Sequence, residues 1–213
     1  MADYEHHIFL SYRRMDEDWV RWTRDNFVRP LRSLLRPALG NVRIFLDKQI
    51  ETGVSWPARL AAAHTRSRLL IPVLNRDYFN SDWCRLELAL MCEREKRLGF
   101  RTPGKPQVLI LPFVIDDGNC FPPEVQAMQG EAIHKFANPC MCTNTPSQEA
   151  FAEHLRQWCP RVEQALEAVP PFDPLWESLA QDQFSQMFRI KTEQVKTLPG
   201  LSLLPNNPGS VSP

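Results

Sequence analysis

One carboxylate interrupts an otherwise apolar stretch of the chain, and it is the side chain best placed to do chemistry. Glu87 lies in the segment NSDWCRLELALMC, residues 80–92, whose apolar residues recur as they do along a helix. On such a helix Glu87 stands one turn from Trp83, away from obviously solvated charges. A single ionised carboxylate in this setting can stabilise positive charge that develops on a bound substrate. The alternative is a carboxylate on the helix surface that pairs with Arg85 or Arg94.

Further polar residues follow two apolar runs that are typical of buried parallel strands. The run His7–Ser11 turns polar at Tyr12, and the run Val42–Leu46 ends at Asp47 and continues into a loop. The carboxyl ends of parallel strands meet at one edge of a sheet, and loops at that edge carry function. The sequence therefore predicts that Ser11, Tyr12 and Asp47 lie at the edge where a ligand binds.

Apolar runs and amphipathic segments alternate along the chain. Strands are predicted at residues 7–11, 42–46, 68–74, 107–115 and 132–136, and helices at 16–35, 56–65, 81–98 and 147–168. This alternation predicts an α/β fold, in which a five-stranded parallel sheet carries helices on both faces and forms a three-layer sandwich. Two prolines affect the predicted helices and strands. Pro30 is expected to kink or split the first helix, and Pro72 argues against a central position for the third strand.

Length and composition restrict the class of protein. The chain has 213 residues, of which 43% are hydrophobic, enough for one well-packed domain and a modest appendage. Its 25 basic and 25 acidic residues leave no net charge that would draw it to nucleic acid or to an anionic membrane. No apolar run approaches the ~20 residues that cross a bilayer, and the N-terminus lacks the basic and apolar segments of a signal peptide. These features predict a cytoplasmic protein without a direct nucleic-acid or membrane partner.

Several familiar types of site are missing from the sequence. Neither the Gly-x-Gly-x-x-Gly turn nor the P-loop pattern is present, which argues against a Rossmann dehydrogenase and a P-loop NTPase. The Gly-x-Ser-x-Gly and His-Glu-x-x-His patterns of hydrolases are also absent. The six cysteines are irregularly spaced, and the one close pair, Cys140 and Cys142, has no second pair or histidine at zinc-site spacing. We therefore expect reduced thiols, no bound metal and no resident cofactor.

Composition changes after Val169, where prolines punctuate a polar tail. The sequence predicts one domain over residues 5–168 and a C-terminal extension over residues 169–213. Within the extension, residues 174–191 could form an amphipathic helix, and residues 198–213 are predicted to be disordered. The helix could pack back on the domain, or it could dock on a partner protein or on another copy of the chain.

Three motifs in a fixed order resemble those of the Toll/interleukin-1 receptor (TIR) domain family. They are the run IFLSYRR at residues 8–14, the run FLD at residues 45–47 with the loop that extends to Gly53, and the pattern Trp83-Cys84-x-x-Glu87. The last motif looks more like the prokaryotic and plant-type enzymatic members, which cleave NAD⁺, than the animal receptor adaptors. The resemblance covers about residues 5–168 and implies a flavodoxin-like fold.

Enzymatic TIR domains cleave the bond between nicotinamide and ribose, and the resemblance gives roles to individual residues. It implies that Glu87 is the catalytic carboxylate and that Arg13 binds the diphosphate or orients the substrate. Six further positions are implied to bind substrate: Phe9, Ser11, Tyr12, Asp47, Glu51 and Trp83. Phe9 could equally be a core residue, and Asp47 a turn cap. In family members the loop that carries Asp47 and Glu51 closes over the substrate or contacts a neighbouring subunit.

The resemblance also implies how activity is controlled. NAD⁺ is a substrate and not a cofactor, and the products are nicotinamide and ADP-ribose or a cyclic ADP-ribose isomer. TIR active sites are commonly completed by a second copy of the domain, so a homo-oligomer or filament is expected on activation, in antiviral defence or cell-death signalling. The trigger is expected to be a separate sensor protein or an activating ligand. The alternative is a non-catalytic adaptor that signals through TIR–TIR association, and the glutamate of the Trp-Cys-x-x-Glu pattern favours the enzyme.

Overall fold

A parallel sheet forms the centre of the molecule. The computed structural model describes residues 3–14, 17–46, 56–119, 121–128, 130–142 and 144–196, so the predicted disordered tail lies outside these ranges. The strands are β1 (His6–Tyr12), β2 (Ile44–Leu46), β3 (Ser67–Leu74), β4 (Phe113–Val114) and β5 (Glu131–Ala132). They pair in the order β2-β1-β3-β4-β5, and every pair is parallel. This is the strand order of flavodoxin-like sheets, and it confirms the predicted fold class.

Helices cover both faces of this sheet. They are α1 (Glu17–Trp22), α2 (Arg29–Leu39), α3 (Trp56–Thr65), α4 (Asp82–Leu98), α5 (Pro123–Gln126), α6 (Pro146–Glu167) and α7 (Pro174–Lys196). Helix α2 packs against α6, and α3 packs against α7 and β1. Because crossovers between parallel strands are right-handed, α1, α2 and α6 lie on one face of the sheet, and α3 and α4 lie on the other. No helix in the described part of the chain is long and apolar enough to cross a membrane.

The first helical segment contains a wide turn just before its proline. Thr23–Val28 form a π-helical stretch between α1 and α2, and Pro30 lies in the first turn of α2. In a regular α-helix the proline ring would clash with the carbonyl group one turn earlier, and one hydrogen bond would be lost. The wide turn accommodates both effects. The segment therefore continues to Leu39 and does not end near residue 35.

The third strand is central although it contains Pro72. Strand β3 pairs with β1 on one side and with β4 on the other. The backbone groups of Leu70 and Leu74 bond to the chain segment that leads through β4, and Pro72 lies between them with the same orientation. Its missing N–H therefore faces β4, where the ladder is interrupted after the bridge between Leu70 and Ile110. The ladder with β1 loses no donor, so the argument against a central position is wrong.

The strands at the far side of the sheet are shorter than the sequence predicts. Of the predicted strand 107–115 only Phe113–Val114 forms a ladder, and the predicted strand 132–136 ends after Ala132. Pro112 removes a further donor from the first of these segments. Four apolar residues of these segments that lie outside the ladders are nevertheless at most 3% exposed: Leu109, Ile110, Leu111 and Ile133. An apolar run can thus be buried without pairing over its whole length.

Aromatic rings fill the space between the sheet and α6. Phe113 contacts Phe27 and Trp158, with 4.5 Å between ring centroids in both pairs. Trp22 stacks on Phe151 at 5.6 Å. These five side chains are at most 5% exposed, and burying each contributes about 1.5–3 kcal/mol. This cluster fixes the helices on one face and leaves the carboxyl edge of the sheet open.

The C-terminal extension contributes a helix to the opposite face. Helix α7 packs along α3, and its residues Trp176, Ala180 and Phe184 are at most 5% exposed. Arg66 forms an ion pair with Glu177 of this helix, with 2.9 Å between nitrogen and oxygen. Over residues 174–190 of the helix, the exposed large apolar side chains are Leu175, Phe188 and Ile190. The burial of one helix face favours packing on the domain over the docking of the whole segment on a partner.

Candidate active site

Helix α4 places Glu87 in its second turn, near the carboxyl end of β1. Ser81 caps the helix, because its side chain accepts a hydrogen bond from the backbone N–H of Cys84 at 3.3 Å. At the other end Gly99 adopts a left-handed φ of 68°, which glycine does without strain. Glu87 is 6% exposed. A carboxylate so nearly buried needs hydrogen-bond donors around it.

Two hydroxyl groups line up with this carboxylate. Ser11 Oγ, at the carboxyl end of β1, donates a hydrogen bond to Glu87 Oε2 at 2.5 Å. The hydroxyl of Tyr78 lies 2.7 Å from the same Oγ and 3.0 Å from the carbonyl oxygen of Cys84. Tyr78 is fully buried in the 3₁₀ turn Arg76–Asn80, between β3 and α4. Burial raises the pKa of Tyr78 well above its ordinary value, so the hydroxyl keeps its proton.

His64 of α3 holds the backbone of the same glutamate. Its Nε2 lies 2.9 Å from the carbonyl oxygen of Glu87, which can only accept, so Nε2 carries the hydrogen. The imidazole is completely buried between Phe9 and Phe184, at ring-centroid distances of 5.2 and 5.8 Å. Burial lowers the pKa of His64 to about 4. The ring is therefore neutral near pH 7. Its hydrogen bond connects α3 to the turn of α4 that contains Glu87.

A small cavity opens beside Glu87. Its volume is about 120 Å³, and its wall contains Phe9, Leu10, Tyr12, Arg13, Arg14, Ser81, Trp83, Cys84 and Glu87. Two arginines thus bring positive charge to a wall that carries one carboxylate among the described residues. Pockets for small molecules usually enclose about 300–1,000 Å³. The cavity therefore fits one ring of a ligand and not a whole dinucleotide.

The thiol in the wall is chemically inert. Burial and the neighbouring Glu87 raise the pKa of Cys84 to about 12. Because the thiolate is the reactive form of cysteine, Cys84 is no nucleophile near pH 7. Among the residues that the structure describes, no group of three or more histidine, cysteine, aspartate or glutamate side chains could hold a metal ion. The chemistry of the described site thus centres on Glu87.

The structure brings together the described residues that the sequence predicts for the site. Those that line the cavity are Phe9, Tyr12, Arg13, Trp83 and Glu87. Ser11 lies behind the wall, 1% exposed, in contact with Glu87. Phe9 is also 1% exposed and stacks on Phe45 at 5.1 Å, so it belongs to the core as well. Asp47 and Glu51 lie outside the described residues, and their contact with substrate stays a prediction.

The two arginines considered as surface partners of Glu87 make other contacts. Arg85 forms an ion pair with Asp82. Arg94 donates to the carbonyl oxygen of Ser67 at 3.3 Å and to the hydroxyl of Tyr4. Together with the burial of Glu87, these contacts rule out the alternative of a carboxylate on the helix surface.

Two residues of the site are absent from the sequence-based prediction. Tyr78 meets Ser11 across 67 positions of the chain, and His64 meets Glu87 across 23. No periodicity or motif in the sequence connects such distant positions. The one available signal is the histidine itself, since a polar ring in the mostly apolar helix 56–65 needs a hydrogen-bond partner once it is buried.

Helix α7 supports the cavity wall from behind. The ring of Phe184 stacks on Trp83, with 6.1 Å between centroids and 13° between the ring planes. Phe184 is fully buried and also contacts His64. Trp83 and His64, which both lie next to Glu87, therefore pack against the C-terminal helix.

A flavodoxin-like sheet with a nearly buried carboxylate at its carboxyl edge defines a class, namely doubly wound α/β domains whose site lies beyond the strand ends. The model of the family described as TIR domain matches residues 8–139, which is more than half of the chain. The chain belongs to the TIR domain family.

Individual relatives are more distant. The chain is similar to Protein SUPPRESSOR OF npr1-1, CONSTITUTIVE 1 of Arabidopsis thaliana, with 26% identity over 175 residues, covering 82% of this chain and 11% of that protein. It thus spans only about a tenth of the length of this relative. A solved structure of the TIR domains of the activated Roq1 resistosome, which directly recognises the pathogen effector XopQ, is 20% identical, with a TM-score of 0.38 over 86% of this chain and 99% of that one.

Proposed function

We propose that the protein cleaves NAD⁺ between nicotinamide and ribose, with Glu87 as its catalytic carboxylate. The observation that carries the proposal is the position of this side chain. It is nearly buried, it accepts a hydrogen bond from Ser11, and it lines the cavity. The match to the TIR domain family supports the proposal.

The proposed bond cleavage suits a site with one carboxylate. Nicotinamide leaves from a pyridinium, so it departs as a neutral molecule and needs no proton from the protein. Positive charge develops on the ribose, which passes through an oxocarbenium-like state. The Glu87 carboxylate would bind the ribose hydroxyls and stabilise that charge where little water is present. Neither Cys84 nor His64 is needed as an acid, base or nucleophile.

The other wall residues fit the remaining parts of NAD⁺. Arg13 and Arg14 supply positive charge of the kind that binds a diphosphate. Trp83 and Tyr12 offer aromatic rings to the nicotinamide end. The cavity of about 120 Å³ accommodates the reacting ring, and the rest of the dinucleotide would extend along the edge of the sheet. This limited size is consistent with a site that a second copy of the domain completes.

Two products are compatible with this chemistry. Attack by water on the ribose gives ADP-ribose, and attack by a nucleophile within the substrate gives a cyclic isomer. The proposal includes activation by assembly, in defence or cell-death signalling, with the trigger provided by a separate sensor protein or a ligand.

Nicotinamide release from NAD⁺ tests the proposal. Glu87→Gln keeps the size of the side chain and one acceptor oxygen but removes the charge, so release should fall by about 10²-fold or more. Glu93→Gln is the matched control, because Glu93 lies on the same helix but pairs with Arg97 outside the cavity wall, and it should leave the rate unchanged. The rate per molecule should rise with protein concentration. Chromatography of the products distinguishes ADP-ribose from cyclic isomers.

Equal release by wild type and Glu87→Gln would overturn the catalytic role. No release by the wild type, even when the protein is forced into assemblies, would favour the non-catalytic adaptor. Circular dichroism of both variants verifies that their folds are unchanged.

A further inference from the structure

Tyr78 carries a hydroxyl group into a position where it cannot meet a substrate. The residue is 0% exposed. Its backbone N–H donates to Asn75 Oδ1 at 2.8 Å, and its ring contacts Phe79 at a centroid distance of 5.4 Å. The turn after β3 is thereby fixed, and the hydroxyl points at Ser11. The group therefore acts on the proposed reaction indirectly, and Ser11 is the side chain that connects it to Glu87.

Ser11 and Tyr78 each have one hydroxyl hydrogen, and this determines which group donates in each hydrogen bond. An ionised carboxylate only accepts, so the single hydroxyl hydrogen of Ser11 goes to Glu87, as the 2.5 Å contact indicates. Ser11 Oγ then accepts from the one hydroxyl hydrogen of Tyr78, 2.7 Å away. The competing acceptor of that hydrogen, the carbonyl oxygen of Cys84, lies within α4, where the N–H four residues later bonds to it. A chain of donors runs from Tyr78 through Ser11 to Glu87.

We propose that Tyr78 is a positioning residue, which orients the Ser11 hydroxyl and strengthens its hydrogen bond to Glu87. The proposal rests on the proposed cleavage of NAD⁺. A hydroxyl that itself accepts a hydrogen bond is a stronger donor, so the carboxylate is held in one rotamer and in its ionised form. Both effects matter most when positive charge develops on the ribose.

The surroundings of Glu87 make its ionisation readable in a pH–rate profile. Among the residues that the structure describes, the titratable or charged groups around it are Tyr78, Cys84, His64, Arg13, Arg14 and Tyr12, and Arg94 acts on His64. His64 titrates only near pH 4, the pKa values of Tyr78 and Cys84 are raised, and arginines keep their charge. Because these neighbours do not titrate near neutral pH, the acid limb of the pH–rate profile reports the carboxylate.

Tyr78→Phe tests the inference, because it removes the hydroxyl and keeps the ring. We expect kcat to fall about tenfold with KM within about twofold, since the lost interaction acts on the transition state. The acid limb of the kcat profile should move to higher pH, because a carboxylate with a weaker donor is protonated more readily. Tyr4→Phe is the matched control, since Tyr4 is a partly buried tyrosine outside the cavity wall. Its hydroxyl donates to the carbonyl oxygen of Pro170 at 3.0 Å and accepts from Arg94, which keeps its bond to Ser67 in the variant. Tyr4→Phe should leave kcat and the profile unchanged.

A double-mutant cycle with Ser11→Ala tests the route. If Tyr78 acts through Ser11, then Tyr78→Phe has no further effect on kcat once the Ser11 hydroxyl is gone. A merely structural role would make the two effects additive. Additive effects, or a kcat and an acid limb equal to those of the wild type, would overturn the inference.

Two other results need a separate interpretation: an inactive wild type, and a Tyr78→Phe variant that fails to fold. An inactive wild type contradicts the proposed cleavage of NAD⁺ itself, and not specifically the role of Tyr78. If Tyr78→Phe fails to fold, 3-fluorotyrosine at position 78 keeps the hydroxyl and makes it a stronger donor. The acid limb should then move to lower pH, and an unchanged limb would overturn the inference.

Discussion

The burial of His64 makes the stability of the fold depend on pH. The pKa of this imidazole is about 4 in the folded protein, against an ordinary value of 6.5, because burial disfavours the charged ring. Between these two values the unfolded chain binds a proton that the folded chain does not bind. The contribution of His64 to stability is therefore complete above about pH 6.5 and is lost as the pH falls towards 4. The difference corresponds to about 3 kcal/mol.

We expect His64→Gln to weaken this dependence. The glutamine amide can still donate to the carbonyl oxygen of Glu87, but it does not titrate. Urea unfolding at a series of pH values should show a smaller loss of unfolding free energy between pH 6.5 and 4 for the variant than for the wild type. His134→Gln, at an exposed histidine, is the control and should follow the wild type. Parallel curves for wild type and His64→Gln would contradict the buried neutral state of His64.

At the scale of elements, helix α7 acts as part of the domain. Phe184 is fully buried against Trp83 and His64, whereas Phe188, one turn later, is 46% exposed. Phe184→Ala should therefore lower the free energy of unfolding by about 3–5 kcal/mol, and Phe188→Ala by less than about 1 kcal/mol. Chemical denaturation of both variants measures the two values. Similar small effects would mean that the helix is only loosely attached.

The elements differ in how far local sequence determines them. The predicted helix 56–65 coincides with α3, and the predicted helices 81–98 and 147–168 differ from α4 and α6 by one residue at most at either end. Their apolar spacing and caps are local signals. The length of β4 instead depends on pairing partners and packing far away in the chain. No window of the sequence contains that information.

The same distinction applies to the site. The motifs identify Glu87, Ser11 and Trp83 as candidates, because each lies in a recognisable stretch at the end of a strand or the start of a helix. The hydrogen bond between Ser11 and Glu87 joins positions 76 residues apart, and Tyr78 enters through a third segment. Such contacts follow from the order of strands in the sheet, which periodicity alone does not provide.

For the whole molecule, the balance of charge bears on assembly. The chain carries 25 basic and 25 acidic residues, so copies of it repel one another little at neutral pH. We expect the protein concentration that gives half-maximal activity to change by less than roughly threefold between about 0.05 and 0.5 M salt. A series of rate measurements at both ionic strengths tests this. A strong rise of that concentration with salt would point to an interface built from complementary charged patches.

Helix α4 is anchored beyond the site as well as in it. Arg94 donates to the carbonyl oxygen of Ser67 at 3.3 Å, and the carboxylate of Glu95 accepts from the backbone N–H groups of residues 109 and 110 at 2.6 and 3.0 Å. The entropy of fixing the helix that bears Glu87 is therefore lost once, while the chain folds, and not again in each turnover. Warming the protein would consequently leave the geometry around Glu87 intact until the whole domain melts.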